Sequence, residues 1–409
     1  MDVTWVILLG IAGLGHIYLA INFFFASKGF QHDDGSKLLL CYFSLDETWP
    51  DNGTLHPAMN ATLCTHLILI NTVIKDGQIA PASPDDVTRY FSKVPLLRQQ
   101  NPALKIIICN GGGGNHGFTP ILASAANRSK FVSSAAPFLK KYDFDGLDID
   151  FEFPGWQLPV QQRKNFTVLL QELRTALDHA GQAEGRKYTL SAAVAAGRAV
   201  MEIYDVPALA KSLDFINLMC YDYYGYAVYD PVTGYNSPLY PQDWQKKIVI
   251  RGGNIGWSSY EWHKRGMPKE KIMVGIPTYA RTWTLMDPER FHGHDAPATG
   301  PGKECVECTF PWVCKFLNTT GTVSVRDVEA GVPYAYRGDQ WISYDDVMSQ
   351  TLKTQWILQN GFGGIMVYAL NSDDYYGNAC GLGRFPLLSA IKGAMNKTWS
   401  ETYMYAFKR

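Results

Sequence analysis

Residues Phe144 to Glu152 read F-D-G-L-D-I-D-F-E, three carboxylates spaced two apart behind a fourth at Asp145. On an extended strand successive side chains alternate faces, so Asp148, Asp150 and Glu152 share one face while Leu147, Ile149 and Phe151 share the other. Like charges at that spacing, roughly 6 to 7 Å apart, repel strongly when buried, so at least one of the three holds a proton near neutral pH. A carboxylic acid held protonated is the group that general-acid catalysis requires. The competing reading is an exposed strand with a solvated acidic face. It fits poorly, because Phe144, Leu147, Ile149, Phe151 and Phe153 make the stretch too apolar for an open edge. Continuous apolarity of this kind suits an interior strand of a parallel sheet.

Such a strand needs neighbours. Short apolar runs at Leu38 to Phe43, His66 to Ile70, Lys105 to Cys109, Gly146 to Phe151, Tyr188 to Val194, Phe215 to Met219, Ile272 to Ile276 and Gly364 to Tyr368 read as strands. Helical patterns lie between them: Phe131, Ala135, Phe138, Leu139 and Tyr142 fall on one helical face, as do Phe166, Leu169, Leu170, Leu173 and Leu177. These alternations predict an α/β fold, a TIM (β/α)8 barrel with helices outside. In such a barrel catalytic groups sit at the C-terminal ends of the strands, which puts Glu152 nearest the open face. The spacing breaks once, over residues 284–350, where Gly, Pro and Thr are frequent and short β-like pieces such as Pro333 to Tyr336 occur.

D-G-L-D-I-D-F-E resembles the active-site signature of the family 18 glycoside hydrolases, the chitinases and chitinase-like lectins, and the similarity runs from Lys37 to about Lys392. It includes L-C-Y-F (Leu40 to Phe43), L-C-T-H-L (Leu63 to Leu67), A-N-R (Ala126 to Arg128), L-D-F-I-N-L-M-C-Y-D (Leu213 to Asp222) and V-T-G-Y-N-S-P-L-Y (Val232 to Tyr240). G-I-P-T-Y-A-R (Gly275 to Arg281), A-P-A-T-G (Ala296 to Gly300) and G-F-G-G-I-M-V-Y-A-L (Gly361 to Leu370) continue it. The resemblance implies that 284–350 is a small α+β insertion after the seventh strand, forming one wall of a cleft, with 30–283 and 351–396 as the barrel. Residues 1–29 and 397–409 then stand apart as a hydrophobic N-terminal segment and a short tail.

The resemblance also implies chemistry. This family is substrate-assisted: the sugar's own acetamido oxygen serves as nucleophile. Glu152 would protonate the glycosidic oxygen, Asp150 would accept the acetamido N–H, and Asp148 would share a proton with Asp150. Tyr221 would hydrogen-bond the acetamido carbonyl, assisted by Tyr42. Met219, Asp222, Tyr279, Arg281, Met366 and Tyr368 would line the sugar subsites. Disulfides Cys41–Cys64 and Cys314–Cys380 are implied as well. Cys305 and Cys308 can close a small loop, while Cys109 and Cys220 lie in strand-like runs that suit buried thiols. C-x-x-C at Cys305 has no second pair to complete a metal site, so neither a metal nor another cofactor is expected.

The chain departs from the family in ways that bear on the cleft. Tyr368 stands where a Trp usually floors the cleavage subsite, Asn110 to Asn115 reads N-G-G-G-G-N where G-G-W is common, and no ring replaces the usual one at Tyr226 and Ala227. Phe151 and Phe153 occupy positions usual for Trp and Tyr. Long or crystalline chitin is therefore a poor fit; soluble chitin oligosaccharides or N-acetylglucosamine-containing glycans suit better. The alternative to a hydrolase is a catalytically weak or inactive lectin that keeps the cleft.

Composition bounds the rest. With 409 residues, 46% hydrophobic content and a net charge of -1, the chain can bury a large core and carries no electrostatic footprint for nucleic acid. Its 23 Tyr, 20 Phe and 11 Trp are core filler for the most part, and the remainder could stack on sugars. Val3 to Ser27 lacks Asp, Glu, Lys and Arg. A span needs about 20 apolar residues and a cleaved signal core about 7 to 15, which favours an anchor, whereas Lys28 on the far side and His16 and Asn22 within argue for cleavage near Ser27. Either route sends the barrel out of the cytosol, as a monomer. Eight cysteines and sequons at Asn52, Asn60, Asn127, Asn165, Asn318 and Asn396 suit that compartment.

Overall fold

The computed structural model describes residues 37–45, 60–113, 117–154, 160–242 and 253–396. The N-terminal segment with Ser27, the Asn52 sequon, Asn115 and the tail 397–409 lie outside the described residues, among which no helix is long and apolar enough to cross a membrane.

From Leu38 the chain forms β1 (Leu38–Ser44), β2 (His66–Lys75), β3 (Gln78–Pro81), β4 (Lys105–Gly112), β5 (Gly146–Phe151), β6 (Thr189–Ala195), β7 (Phe215–Met219) and β8 (Ile272–Pro277). It continues through β9 (Tyr279–Leu285), β10 (Ala298–Pro301), β11 (Glu307–Thr309), β12 (Val323–Asp327), β13 (Val332–Arg337) and β14 (Gln340–Ser343) to β15 (Gly364–Tyr368). In one sheet the parallel order β1-β15-β8-β7-β6-β5-β4-β2 closes on itself because β1 also pairs with β2; β3 only folds back on β2. Eight parallel strands in a closed ring make the expected (β/α)8 barrel.

Side-chain parity explains what faces where. Leu39, Cys41, Phe43, Leu147, Ile149, Phe151, Ile365 and Val367 point outward and join one buried apolar cluster with the faces of two helices, Ala125–Tyr142 and Val160–Glu184. Phe131, Ala135, Phe138 and Leu139 contribute from the first, and Phe166, Leu169, Leu170, Leu173 and Leu177 from the second. Alternate residues point into the barrel, and at its centre these are polar: Tyr42, Asp148, Asp150, Ser191 and Asn217 are all buried. Phe151 stacks on Phe118 at 4.9 Å between ring centroids, on the outer face. Its difference from the family therefore concerns helix packing and not the cleft.

Asp145 anchors the entry of β5, accepting from Ile106 N–H at 2.8 Å and pairing with Arg98 at 2.9 Å.

The insertion is an antiparallel sheet in the order β10-β9-β14-β13-β12, with β11 added on β9 and the helix Phe310–Leu317 following β11. Its strand β9 starts at Tyr279, so Tyr279 and Arg281 lie in this sheet. Only Thr278 separates β9 from β8; its N–H donates to Tyr368 C=O at 2.9 Å and its hydroxyl to Ala369 C=O at 2.6 Å. The bend is thus held by a strand distant in sequence. At the other end the helix Val347–Gln359 starts before residue 350, capped by Asp346 in a capping box with Ser349.

Disulfides join Cys41 to Cys64, Cys305 to Cys308 and Cys314 to Cys380, while Cys109 and Cys220 are free and buried. The bond between Cys305 and Cys308 removes both from metal ligation.

Candidate active site

The floor of the barrel is built around Asp148, which has no exposed surface. Tyr42 donates its hydroxyl to Asp148 Oδ2 at 2.7 Å, Ser191 donates to Oδ1 at 2.6 Å, and Asn217 Nδ2 donates to Oδ1 at 3.0 Å and to Tyr42 Oη at 2.8 Å. Burial pushes this carboxyl above its ordinary value, and hydrogen bonds from Ser191, Tyr42, Cys109 and Asn217 pull it part of the way back. The Tyr42 hydroxyl is thus spent on Asp148, and no hydrogen bond joins it to Tyr221 among the described contacts.

Asp150 is the contrasting case two residues on. It is 5% exposed, and its buried Oδ1 has no hydrogen-bond partner. Burial, then the charges of Glu152 and Asp148, holds its carboxyl far above the usual range. Donors thus converge on Asp148 while none reaches Asp150 Oδ1, and of the two carboxyls Asp150 is the one pushed well above its ordinary range. Close pairing of β4 with β5 brings Gly111 opposite Asp150; a Cβ there would lie 1.8 Å from Asp150 O, so only glycine fits.

Glu152 follows the end of β5, and its side chain is only partly buried. Burial first, then the charges of Asp222 and Glu307, raises its carboxyl to about 7. It therefore keeps its proton up to near-neutral pH and can give it to a leaving group. The peptides Glu152–Phe153 and Tyr368–Ala369 are cis.

Beside these carboxylates lie residues that follow β7 and those of β9, β11 and β15. Tyr221 donates its hydroxyl to Met366 Sδ at 3.8 Å, and burial keeps it protonated and so a donor. Gly275 makes room for both, because a Cβ there would stand 2.7 Å from Met366 Cε and 3.1 Å from Tyr221 Cε1. Tyr368 is ringed by Tyr42, Tyr221 and Tyr279 at 6.1, 5.5 and 6.0 Å between centroids. Asp222 Oδ1 accepts from Tyr279 Oη at 2.6 Å and from Arg281 Nε at 2.7 Å, and Arg281 Nη2 pairs with Glu307 at 2.9 Å. Met219 ends β7 on its inward parity, half-buried.

The structure thus joins Tyr42 to Asp148, Met366 to Tyr221, and both Tyr279 and Arg281 to Asp222, whose charge bears on Glu152. Residues not singled out in the sequence join them, Ser191 and Asn217 at Asp148 and Glu307 at Arg281, together with Cys109, expected only as a buried thiol. Asn217 lies in the run Leu213 to Asp222, where parity with Met219 could have found it. Glu307 had no local signal; antiparallel pairing with β9 sets it opposite Arg281.

Comparison with known proteins adds an independent line. The sequence profile of glycosyl hydrolases family 18 matches residues 38–373. Chitotriosidase-1 of Mus musculus is 35% identical over 344 residues, 83% of this chain and 73% of that protein. Among solved structures, human YKL-39, described as a pseudo-chitinase with retained chitooligosaccharide binding, superposes with a TM-score of 0.82 at 33% identity, covering 88% of this chain and 100% of that one. An immunomodulatory chitinase from Trichuris suis gives the same TM-score, identity and coverage.

Proposed function

Since this chain belongs to glycosyl hydrolases family 18, we propose that it is a chitinase-type glycosidase that cleaves β-1,4-linked N-acetylglucosamine oligosaccharides with retention of configuration. The observation that carries the proposal is the placement of Glu152, its carboxyl raised to about 7, two residues from the buried Asp150 Oδ1 that no protein donor reaches. A buried acceptor without a donor awaits one, and an acetamido N–H supplies it.

The steps follow from the arrangement. Glu152 protonates the glycosidic oxygen as the bond to C1 breaks. The acetamido carbonyl oxygen attacks C1, forming an oxazolinium intermediate, with Asp150 on its N–H and the Tyr221 hydroxyl on its oxygen. Glu152, now a carboxylate, takes a proton from the water that reopens the ring. Asp148, held by Tyr42, Ser191 and Asn217, fixes the strand and keeps the Asp150 proton in place. Met219, Asp222, Tyr279, Arg281, Met366 and Tyr368 shape the subsites.

A second reading is an oligosaccharide-binding lectin without turnover, favoured by the smaller ring at Tyr368. Both are separated by hydrolysis of a fluorogenic chitotriose glycoside, wild type beside Glu152→Gln. The hydrolase reading expects wild-type kcat to fall on an alkaline limb near pH 7, where Glu152 loses its proton. Glu152→Gln should lower kcat by roughly 10²- to 10⁴-fold with oligosaccharide affinity retained. Undiminished hydrolysis in the variant would remove Glu152 from the acid role, and binding without any wild-type turnover would establish the lectin.

The proposed setting is extracytoplasmic, as a monomer, with residues 1–29 acting as anchor or cleaved signal. Asn60, Asn318 and Asn396 are exposed and open to glycosylation, whereas Asn127 is exposed but its Nδ2 donates to Pro120 C=O at 2.8 Å. Asn165 is half-buried, its Nδ2 donating to Leu122 C=O at 2.6 Å, and suits a glycan least.

A further inference from the structure

We propose that Asn236 is a positioning residue for the hydrolysis described above, holding the Tyr221–Asp222 segment against the insertion sheet; the inference rests on that reading of the cleft. The run Val232 to Tyr240 supplies none of the groups assigned to the reaction, yet Asn236 at its centre is 1% exposed and fully engaged. Its Oδ1 accepts from Asp222 N–H at 2.9 Å and its Nδ2 donates to Tyr279 C=O at 3.2 Å. Its backbone C=O accepts from Tyr223 N–H at 3.1 Å and its N–H donates to Ser343 Oγ at 2.9 Å.

The side-chain partners leave the amide one orientation, because a backbone N–H can only donate and a carbonyl only accept. One side chain therefore bridges the β7 exit, which carries Tyr221 and Asp222, and β9, which carries Tyr279. Its main chain reaches β14. Asp222 sits at φ 56, a left-handed conformation that L residues adopt reluctantly, and the Asn236 bond on its N–H holds it there. The next residue repeats the grip: Ser237 Oγ donates to Cys220 C=O at 2.7 Å and receives Lys353 Nζ at 3.2 Å. Cys220 to Tyr223 is thus fastened on both sides of Tyr221. A displacement of about 1 Å in a reacting group can cost on the order of a hundredfold in rate.

The test uses the full chain and two variants, with each binding measurement made in the Glu152→Gln background. Asn236→Ala should lower kcat by roughly tenfold to a hundredfold, while oligosaccharide Kd shifts by less than about threefold. Asn236→Asp supplies the same acceptor and donor only while protonated, which burial favours. It should approach wild-type kcat at acidic pH and decline toward the Ala variant as pH rises; if the Ala variant does not fold, this pH-dependent recovery decides the matter. A folded Ala variant with wild-type kcat, an activity loss wholly accounted for by weaker binding, or an Asp variant whose kcat tracks the wild-type pH profile would overturn the inference. A wild-type protein with no turnover would overturn the hydrolase reading itself, and the positioning role with it.

Discussion

At the scale of single residues, the candidate site sets two aspartates on one strand in contrasting surroundings. Asp148 is surrounded by donors, Asp150 Oδ1 has none, and burial with the neighbouring carboxylates holds Asp150 well above the usual range. Glu152 gains its raised value from burial and from two carboxylates on other elements, Asp222 and Glu307. Tyr368 stands where the family resemblance leads one to expect a Trp. It lies among three tyrosine rings, partly buried, where it can face a sugar. Tyr368→Trp enlarges the stacking face and should tighten oligosaccharide binding to the Glu152→Gln protein by about 1 kcal/mol, roughly fivefold in Kd. Calorimetric titration with chitotetraose checks this, and an unchanged Kd would mean the ring is not the floor of the subsite.

At the scale of elements, the cleft depends on how the helix Val347–Gln359 is tied to the strands around it. Lys353, wholly buried on this helix, pairs with Asp345 at 2.6 Å and reaches Ser237, which braces the Cys220 carbonyl. Burial drives the two partners toward neutrality, Asp345 up and Lys353 down, and their contact opposes it. Removing one partner leaves the other uncompensated, so Lys353→Met should cost about 3–5 kcal/mol in urea denaturation. Lys353→Met combined with Asp345→Leu should recover much of that loss. A single variant as stable as wild type would show that the pair does not hold the helix.

At the scale of the whole molecule, the covalent links differ in what they constrain. Cys314–Cys380 joins residues 66 apart, from the insertion helix to the segment after β15, whereas Cys305–Cys308 spans a separation of 3. On the chain-entropy model, loops of these sizes are worth about 4 and about 2 kcal/mol. Replacing Cys314 and Cys380 by Ser should therefore lower Tm distinctly more than replacing Cys305 and Cys308, as differential scanning calorimetry would read. Equal losses would show that local strain or residual structure, and not loop length, governs these bonds.

Much of this was legible in the sequence because it depends on local periodicity. Alternation along β5 sets Asp148 and Asp150 on one face and Leu147, Ile149 and Phe151 on the other, and β5, β7 and β15 run between the residues that their apolar patterns marked. Tertiary structure alone decided which groups meet across the barrel. Ser191 and Asn217 reach Asp148 from 43 and 69 residues away because the ring closes, and Glu307 faces Arg281 because β11 pairs antiparallel with β9. Backbone period and burial are properties of a few consecutive residues, whereas the proton affinity of Glu152 and the partners of Asp148 are sums over neighbours that only long-range pairing assembles.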